Sequence, residues 1–114
     1  MDEAMKKMAR DAGLTEAELA ELIRLFIDSA ATDIRRLEGF LAAKQVPEAR
    51  RRLHSLKGAG INLNLERFAR YCEHAEAALD SHSCEDAAAA VIQIKRIVDN
   101  LSAESHGLEY PTAS

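Results

Sequence analysis

Apolar residues recur at three- and four-residue intervals along most of the chain, which is the spacing of one face of an α-helix. The longest run follows Thr15 and Glu18, a capping-box pair, and predicts a helix over residues 15–43. Its apolar positions are Leu19, Leu22, Ile23, Phe26, Ile27, Ala30, Ile34, Leu37 and Leu41. A shorter helix is predicted over residues 2–12, ending at Gly13, because glycine readily takes the left-handed conformation that closes a helix.

Three more helices are predicted in the second half of the chain. Pro47 suits the first position of a helix, and Asn64 is predicted to cap the next one, which ends near Asp80 or Ser81. Ser83 and Asp86 form a second capping box before the last helix, residues 84–103. The predicted buried positions of these three helices are Ala49, Leu53, Leu56 and Gly60; Leu65, Phe68, Cys72, Ala75 and Leu79; and Ala87, Ala90, Val91, Ile94, Ile97, Val98 and Leu101.

The short connections between these helices predict that consecutive helices pack side by side and antiparallel. The expected fold is all-α: an antiparallel up-and-down four-helix bundle with a short additional N-terminal helix. Residues 1–103 are predicted to form one helical bundle domain. Residues 104–114 have no periodicity and include Gly107 and Pro111, so a flexible C-terminal tail is expected there.

Charge and composition narrow the class of protein. The net charge of −4 does not favour binding to nucleic acid or to an anionic membrane. No stretch approaches the roughly 20 apolar residues needed to span a bilayer, and the charged N-terminus does not resemble a signal peptide, so a cytoplasmic location is expected. Cys72 and Cys84 are therefore expected to stay reduced.

His54 is the first candidate for chemistry. At about 100° per residue it lies roughly 140° from the centre of the apolar stripe of its helix, and it is predicted to face solvent. Gly58 lies one turn later on the same outer face, although glycine costs about 1 kcal/mol relative to alanine inside a helix. The missing side chain at position 58 would let a partner backbone or a phosphoryl group approach the imidazole.

Positive charges surround His54 in the sequence. Arg50, Arg51, Arg52 and Lys57 fall within eight residues of an otherwise acidic chain, and this patch is expected to attract anions. Lys57 is one helical turn from His54, where its ammonium group can pair with a phosphoryl group on the imidazole.

Residues 54–58, HSLKG, preceded by Leu53 and followed by the segment GINLNLERFARYCEHAE, resemble the signature of the histidine phosphotransfer (HPt) family. The resemblance covers about residues 14–103. It implies that His54 is the phosphoryl acceptor, that Lys57 stabilises charge beside it, and that Gly58 provides steric access. The family often has glycine ten residues after the histidine, where this chain has Asn64, which also tolerates a left-handed turn.

The resemblance also implies a function. His54 would accept and donate a phosphoryl group to and from aspartates of response-regulator receiver domains in a bacterial-type phosphorelay, with a sensor or hybrid histidine kinase as a further partner. The receiver would supply magnesium, so no intrinsic cofactor is expected. The chain would be a monomeric phosphocarrier and not an enzyme, without a nucleotide site or kinase activity. Arg50, Arg51 and Ile61 are predicted to contact the partner.

Other functions fit the sequence less well. Cys72, His74, His82 and Cys84 lie close together, but they lack the CxxC or HxxxH spacing of a zinc site. A module that docks receiver domains and inhibits them without transfer would need neither His54 nor Lys57. The phosphoacceptor part of a histidine kinase is disfavoured because the chain has four long helices of its own and no Gly-rich phosphate loop.

Overall fold

A computed structural model of the chain describes residues 3–109, apart from the side chains of residues 4 and 104–109. Five helices follow one another within this range: α1 (Glu3–Ala12), α2 (Glu16–Ala42), α3 (Val46–Asn62), α4 (Glu66–Asp80) and α5 (Cys84–Glu109). Connections of three residues join the four long helices and force each to run antiparallel to the one before.

The four long helices form a closed ring. α2 packs against α3 and α5, and α4 packs against the same two helices, while α1 contacts α2. This is the predicted up-and-down four-helix bundle with a short additional N-terminal helix. Among the described residues, every helix is too short or too polar to cross a membrane.

The core is built from the predicted apolar stripes. Phe26 of α2 and Phe68 of α4 meet edge to face at its centre, with ring centroids 5.2 Å apart. A smaller cluster of Met5, Ala9, Leu19 and Ile23 joins α1 to α2. Leu22, one of the apolar positions identified in α2, is 41% exposed. Leu22 lies about 80° around α2 from the centre of the buried positions, beyond the strip that α1 and the other helices cover.

Four helices end in the same way. Gly13, Lys44, Asn64 and His82 have φ values of 71°, 58°, 57° and 61°. At each end the N–H of this left-handed residue donates to the carbonyl three residues back, and the next N–H donates to a carbonyl five residues back. This double hydrogen bond is the Schellman motif. Gly13 was predicted to take this position, whereas lysine and histidine do so at a cost of about 1 kcal/mol.

Two predicted caps differ from the structure. Asn64 ends α3 and does not cap α4, because its left-handed backbone is incompatible with the extended conformation of a capping residue; Leu65 occupies the cap position instead. Ser83 accepts a hydrogen bond from the Asp86 N–H at 3.2 Å, but its own N–H donates to Ala78, so only half of that capping box forms. The capping box at Thr15 is complete.

The last helix is longer than predicted. α5 continues to Glu109, six residues past the expected end at residue 103. The loss of apolar periodicity after Leu101 does not stop a helix, because each added residue still gains a backbone hydrogen bond. Residues 110–114 of the predicted tail lie outside the described residues.

Gly60 sets how closely α3 and α4 approach. A Cβ atom at this position would lie 2.5 Å from Cδ1 of Phe68, whose ring is fully buried. The backbone of α3 therefore packs directly on the Phe68 ring, which also meets the Phe26 ring edge to face. The sequence placed Gly60 in the apolar stripe, and the structure shows that it is there because a side chain would not fit.

We expect Gly60→Ala to destabilise the chain by about 1–3 kcal/mol, because the added methyl group must displace the Phe68 ring. Gly58→Ala is the matched control on the same helix, since a Cβ there meets nothing within 4 Å. It is expected to stabilise the chain by up to about 1 kcal/mol through helix propensity. Urea unfolding measures both changes. Equal stabilisation by the two substitutions would show that the Phe68 ring can move aside without a loss of stability.

Candidate functional site

His54 is exposed on the outer side of α3, as the helical spacing predicted. Ala49, Leu53 and Leu56 are fully buried and fix the rotation of α3 about its axis. Because α3 packs between α2 and α4, these three side chains turn His54 outward and leave its imidazole open to a partner. The ring therefore stands on a rigid element and not on a loop.

Gly58 is exposed one turn after His54. An added Cβ would find no atom of this chain within 4 Å apart from its own helix neighbourhood, so packing inside the protein does not require glycine here. At Gly60, two residues later, an added Cβ would instead collide with the Phe68 ring. The open space at position 58 is consistent with the predicted need for clearance beside the imidazole.

Lys57 is paired across the helix interface. Its Nζ lies 3.3 Å from Oε1 of Glu76 on α4, and the two side chains are only 22% and 19% exposed. The same Oε1 atom is buried and has no hydrogen-bond partner in the described part of the chain. The pair is therefore held by charge attraction in a partly desolvated setting, without the geometry of a hydrogen bond.

The three arginines before His54 are also paired. Arg50 forms an ion pair with Asp80, Arg51 lies 3.5 Å from Glu48, and Arg52 donates a hydrogen bond to Asp33 at 3.0 Å. Together with Lys57, four cations face four carboxylates. The predicted cluster of cations is therefore paired with carboxylates: Glu48 is its neighbour on α3, and the other three carboxylates come from α2 and α4.

Arg50, Arg51, His54 and Glu76 line one shallow, open depression between α3 and α4. Glu76 and Asp80 were not predicted to belong to the site. The spacing of Glu73, Glu76 and Asp80 could have indicated this, because residues three and four apart share one face of a helix. In the structure this face of α4 lies toward α3. The depression offers a nucleophilic imidazole beside charges that are already compensated.

Ile61, a predicted partner contact, is 55% exposed near the end of α3. It lines a groove with Asn64, Leu65, Ala69 and neighbouring residues of α4. The groove lies on the α3–α4 side of the bundle, the side that also holds the depression at His54. The predicted contacts Arg50, Arg51 and Ile61 thus all lie along one helix pair.

The four residues of the metal alternative do not converge. Cys72 is fully buried in the core while His74 is exposed on α4, and its ring lies edge to face with Tyr71. Within the described residues no three His, Cys, Asp or Glu side chains come together as a metal site. Both cysteines are free thiols. Burial, helped by the nearby Glu76 carboxylate, raises the pKa of Cys72 to about 12.

Comparison with known proteins gives a family match. The model of the Hpt domain matches residues 21–104, a span that contains the whole of α3 and α4 and most of α2 and α5. The match includes His54 and ends before His106. No curated protein and no solved structure matches the chain.

The two cysteines are expected to differ in reactivity. With a pKa near 12, Cys72 is almost entirely protonated at pH 8, and its burial blocks reagents, whereas Cys84 is partly exposed. Iodoacetamide at pH 8 should therefore modify one thiol per native chain and two in urea, as counted by mass spectrometry. Cys84→Ser should remove the native label. Rapid native labelling of Cys72 would contradict its burial.

Proposed function

The chain belongs to the Hpt domain family, whose members transfer phosphoryl groups through histidine in phosphorelays, and we propose that His54 is the histidine that does so here. The open position of His54 beside Gly58 is the observation that supports this choice most. Two other histidines lack such a setting: His74 is followed one turn later by Ala77 and Ala78, and His82 lies between α4 and α5, close in sequence to Glu85 and Asp86, whose charges would repel a phosphoryl group. His106 lies beyond the matched residues 21–104.

The proposed reaction moves one phosphoryl group between two proteins. The lone pair of one neutral imidazole nitrogen attacks the phosphorus of an aspartyl phosphate on a receiver domain. An N–P bond forms while the P–O bond to the aspartate breaks, and the leaving carboxylate keeps the electron pair. The other ring nitrogen keeps its proton or loses it to solvent, and the reverse reaction returns the group. The receiver domain is expected to supply magnesium, and the exchange is expected to occur in the cytoplasm.

Lys57 and Gly58 have separate proposed roles. The Lys57 ammonium group, one turn from His54, would neutralise charge on the transferred phosphoryl oxygens. Gly58 would leave room for the partner to bring its aspartate in line with the imidazole nitrogen. The chain then provides a nucleophile, a cation and open space, which makes it a phosphocarrier and not a catalyst of its own.

Docking is proposed on the α3–α4 side. Ile61 offers exposed apolar surface to a receiver domain, and Arg50 and Arg51 offer charged groups at the edge of the depression. Because these arginines already have carboxylate partners, their contribution to docking should be specificity and orientation more than affinity. The chain completes a four-helix bundle by itself, and a monomer is therefore proposed as the active form.

We expect His54→Gln to abolish phosphorylation by phosphorylated receiver domains while leaving helical content unchanged, because the side chain is exposed and makes no core contact. His74→Gln, the same substitution at an exposed histidine on α4, is the matched control and should retain transfer. Incubation with a panel of phosphorylated receiver domains, followed by detection of acid-labile, base-stable phosphate, measures both. Phosphoryl transfer to the His54→Gln variant would contradict the assignment of His54 as the acceptor. If the wild-type chain bound receiver domains but acquired no phosphate, the result would favour a docking module that inhibits receiver domains.

Gly58→Leu is expected to raise the free energy of unfolding by up to about 1 kcal/mol yet reduce the transfer rate at least about 100-fold, because a bulky side chain would fill the approach to His54. Gly39→Leu on α2 is the matched control, since a Cβ there also meets open space. It should stabilise the chain and leave transfer unchanged. A wild-type transfer rate in Gly58→Leu would remove the steric role of Gly58.

A further inference from the structure

Among the residues that line the depression at His54, Glu76 alone has no role in the proposed reaction or in the proposed docking. It comes from α4, 22 positions after His54 in the sequence, and packing alone brings it to the site. Its Oε1 lies 3.3 Å from Nζ of Lys57, the cation proposed to neutralise the transferred phosphoryl group. A carboxylate and a phosphoryl group at His54 would therefore draw on the same ammonium group.

The burial of the Lys57–Glu76 pair strengthens the competition between Glu76 and a phosphoryl group for Lys57. Lys57 and Glu76 are each about four-fifths buried, so solvent screens their attraction less than it screens the exposed ion pairs of the chain. The Glu76 Oε1 atom has no hydrogen bond from the described residues that would compensate its charge if Lys57 turned away. A contact of Lys57 with a phosphoryl oxygen would therefore weaken its attraction to the buried Glu76 carboxylate.

We propose that Glu76 is a positioning residue that competes with the phosphoryl group on His54 for Lys57, and thereby limits how strongly the chain holds that group. In the unphosphorylated chain Glu76 keeps the Lys57 ammonium group near the imidazole and compensates its charge. After transfer Lys57 is shared between the carboxylate and the phosphoryl oxygens. The inference rests on the proposed role of His54 and adds a specific control of the transfer equilibrium.

Glu76→Gln tests the competition because it removes the charge and keeps the size of the side chain. The final ratio of phosphorylated chain to phosphorylated receiver domain, read on a phosphate-affinity gel, gives the equilibrium constant. We expect Glu76→Gln to shift it toward the phosphorylated chain by about three- to tenfold, the range for loss of a partly buried charge partner. Glu76→Met, also uncharged and similar in length, should give the same shift and serves if the glutamine variant folds poorly.

Glu38→Gln is the matched control. Glu38 forms an ion pair with Lys95, at 3.5 Å, between α2 and α5, so the substitution also removes a paired carboxylate but leaves the α3–α4 side intact. It should change the equilibrium constant less than about twofold. If Glu76→Gln shifts the constant no more than Glu38→Gln does, the proposal is overturned. A purely structural Glu76 would show that result together with a loss of stability.

The Lys57→Met background separates competition for Lys57 from simple repulsion between Glu76 and the phosphoryl group. Without the ammonium group there is nothing to compete for, so Glu76→Gln should shift the equilibrium less than about twofold in that background. An undiminished shift overturns the exchange mechanism and leaves the role of His54 standing. Absence of phosphate from wild-type His54 would overturn both the proposed function and this inference.

Discussion

The direct packing of the α3 backbone on the Phe68 ring is the constraint on which the rest of the site depends. Gly60 allows this contact, and the Phe26 ring packs edge to face on the same Phe68 ring, so the two contacts together restrict the position of α4 along α3. In an antiparallel pair, moving back along α3 means moving forward along α4. Lys57 accordingly meets Glu76, and Arg50 meets Asp80. The charges around His54 follow from an apolar contact at the other end of the helix pair.

The resulting ion pairs differ in what they contribute. Arg50–Asp80 and Arg51–Glu48 are exposed enough that water and salt screen them, and such pairs typically stabilise a protein by less than about 1 kcal/mol. Lys57–Glu76 and Arg52–Asp33 are more deeply placed, and losing one partner leaves a poorly solvated charge behind. These two pairs connect α3 to α4 and to α2. They flank His54 on both sides and hold the helix that presents it.

The sequence predicted those features that depend on neighbours along one helix. The stripe of Ala49, Leu53 and Leu56 was enough to turn His54 outward, and the capping box at Thr15 was enough to start α2. The sequence did not predict contacts between helices, because the register of α4 against α3 follows from the shapes of Gly60 and Phe68. The pairing of Lys57 with Glu76 depends on that register, and so does the pairing of Arg50 with Asp80.

The helix ends also divide into those set by the local sequence and those set by packing between helices. Glycine at position 13 signals a left-handed turn by itself, whereas Lys44 and His82 adopt this conformation only because the short connections leave the chain no other route between packed helices. A side chain at such a position has a local cost that the apolar contacts of both helices offset. The burial of two apolar stripes therefore outweighs local preference at Lys44 and His82. At Asn64, by contrast, the left-handed conformation agrees with the local preference of asparagine.

A compensated site suits a protein that must release what it accepts. Each tenfold preference for the phosphorylated chain corresponds to about 1.4 kcal/mol, so four unpaired cations around His54 would readily make the transfer one-sided. Each of these four cations already faces a carboxylate. The net stabilisation of a phosphoryl group by such a cation is therefore only the difference between the attraction of the cation to the phosphoryl group and its attraction to the carboxylate. In the proposed reaction, the chain would then exchange the group in either direction at a modest free-energy cost. The apolar contact at Gly60, which sets those pairings, would thus bear on the reversibility proposed for His54.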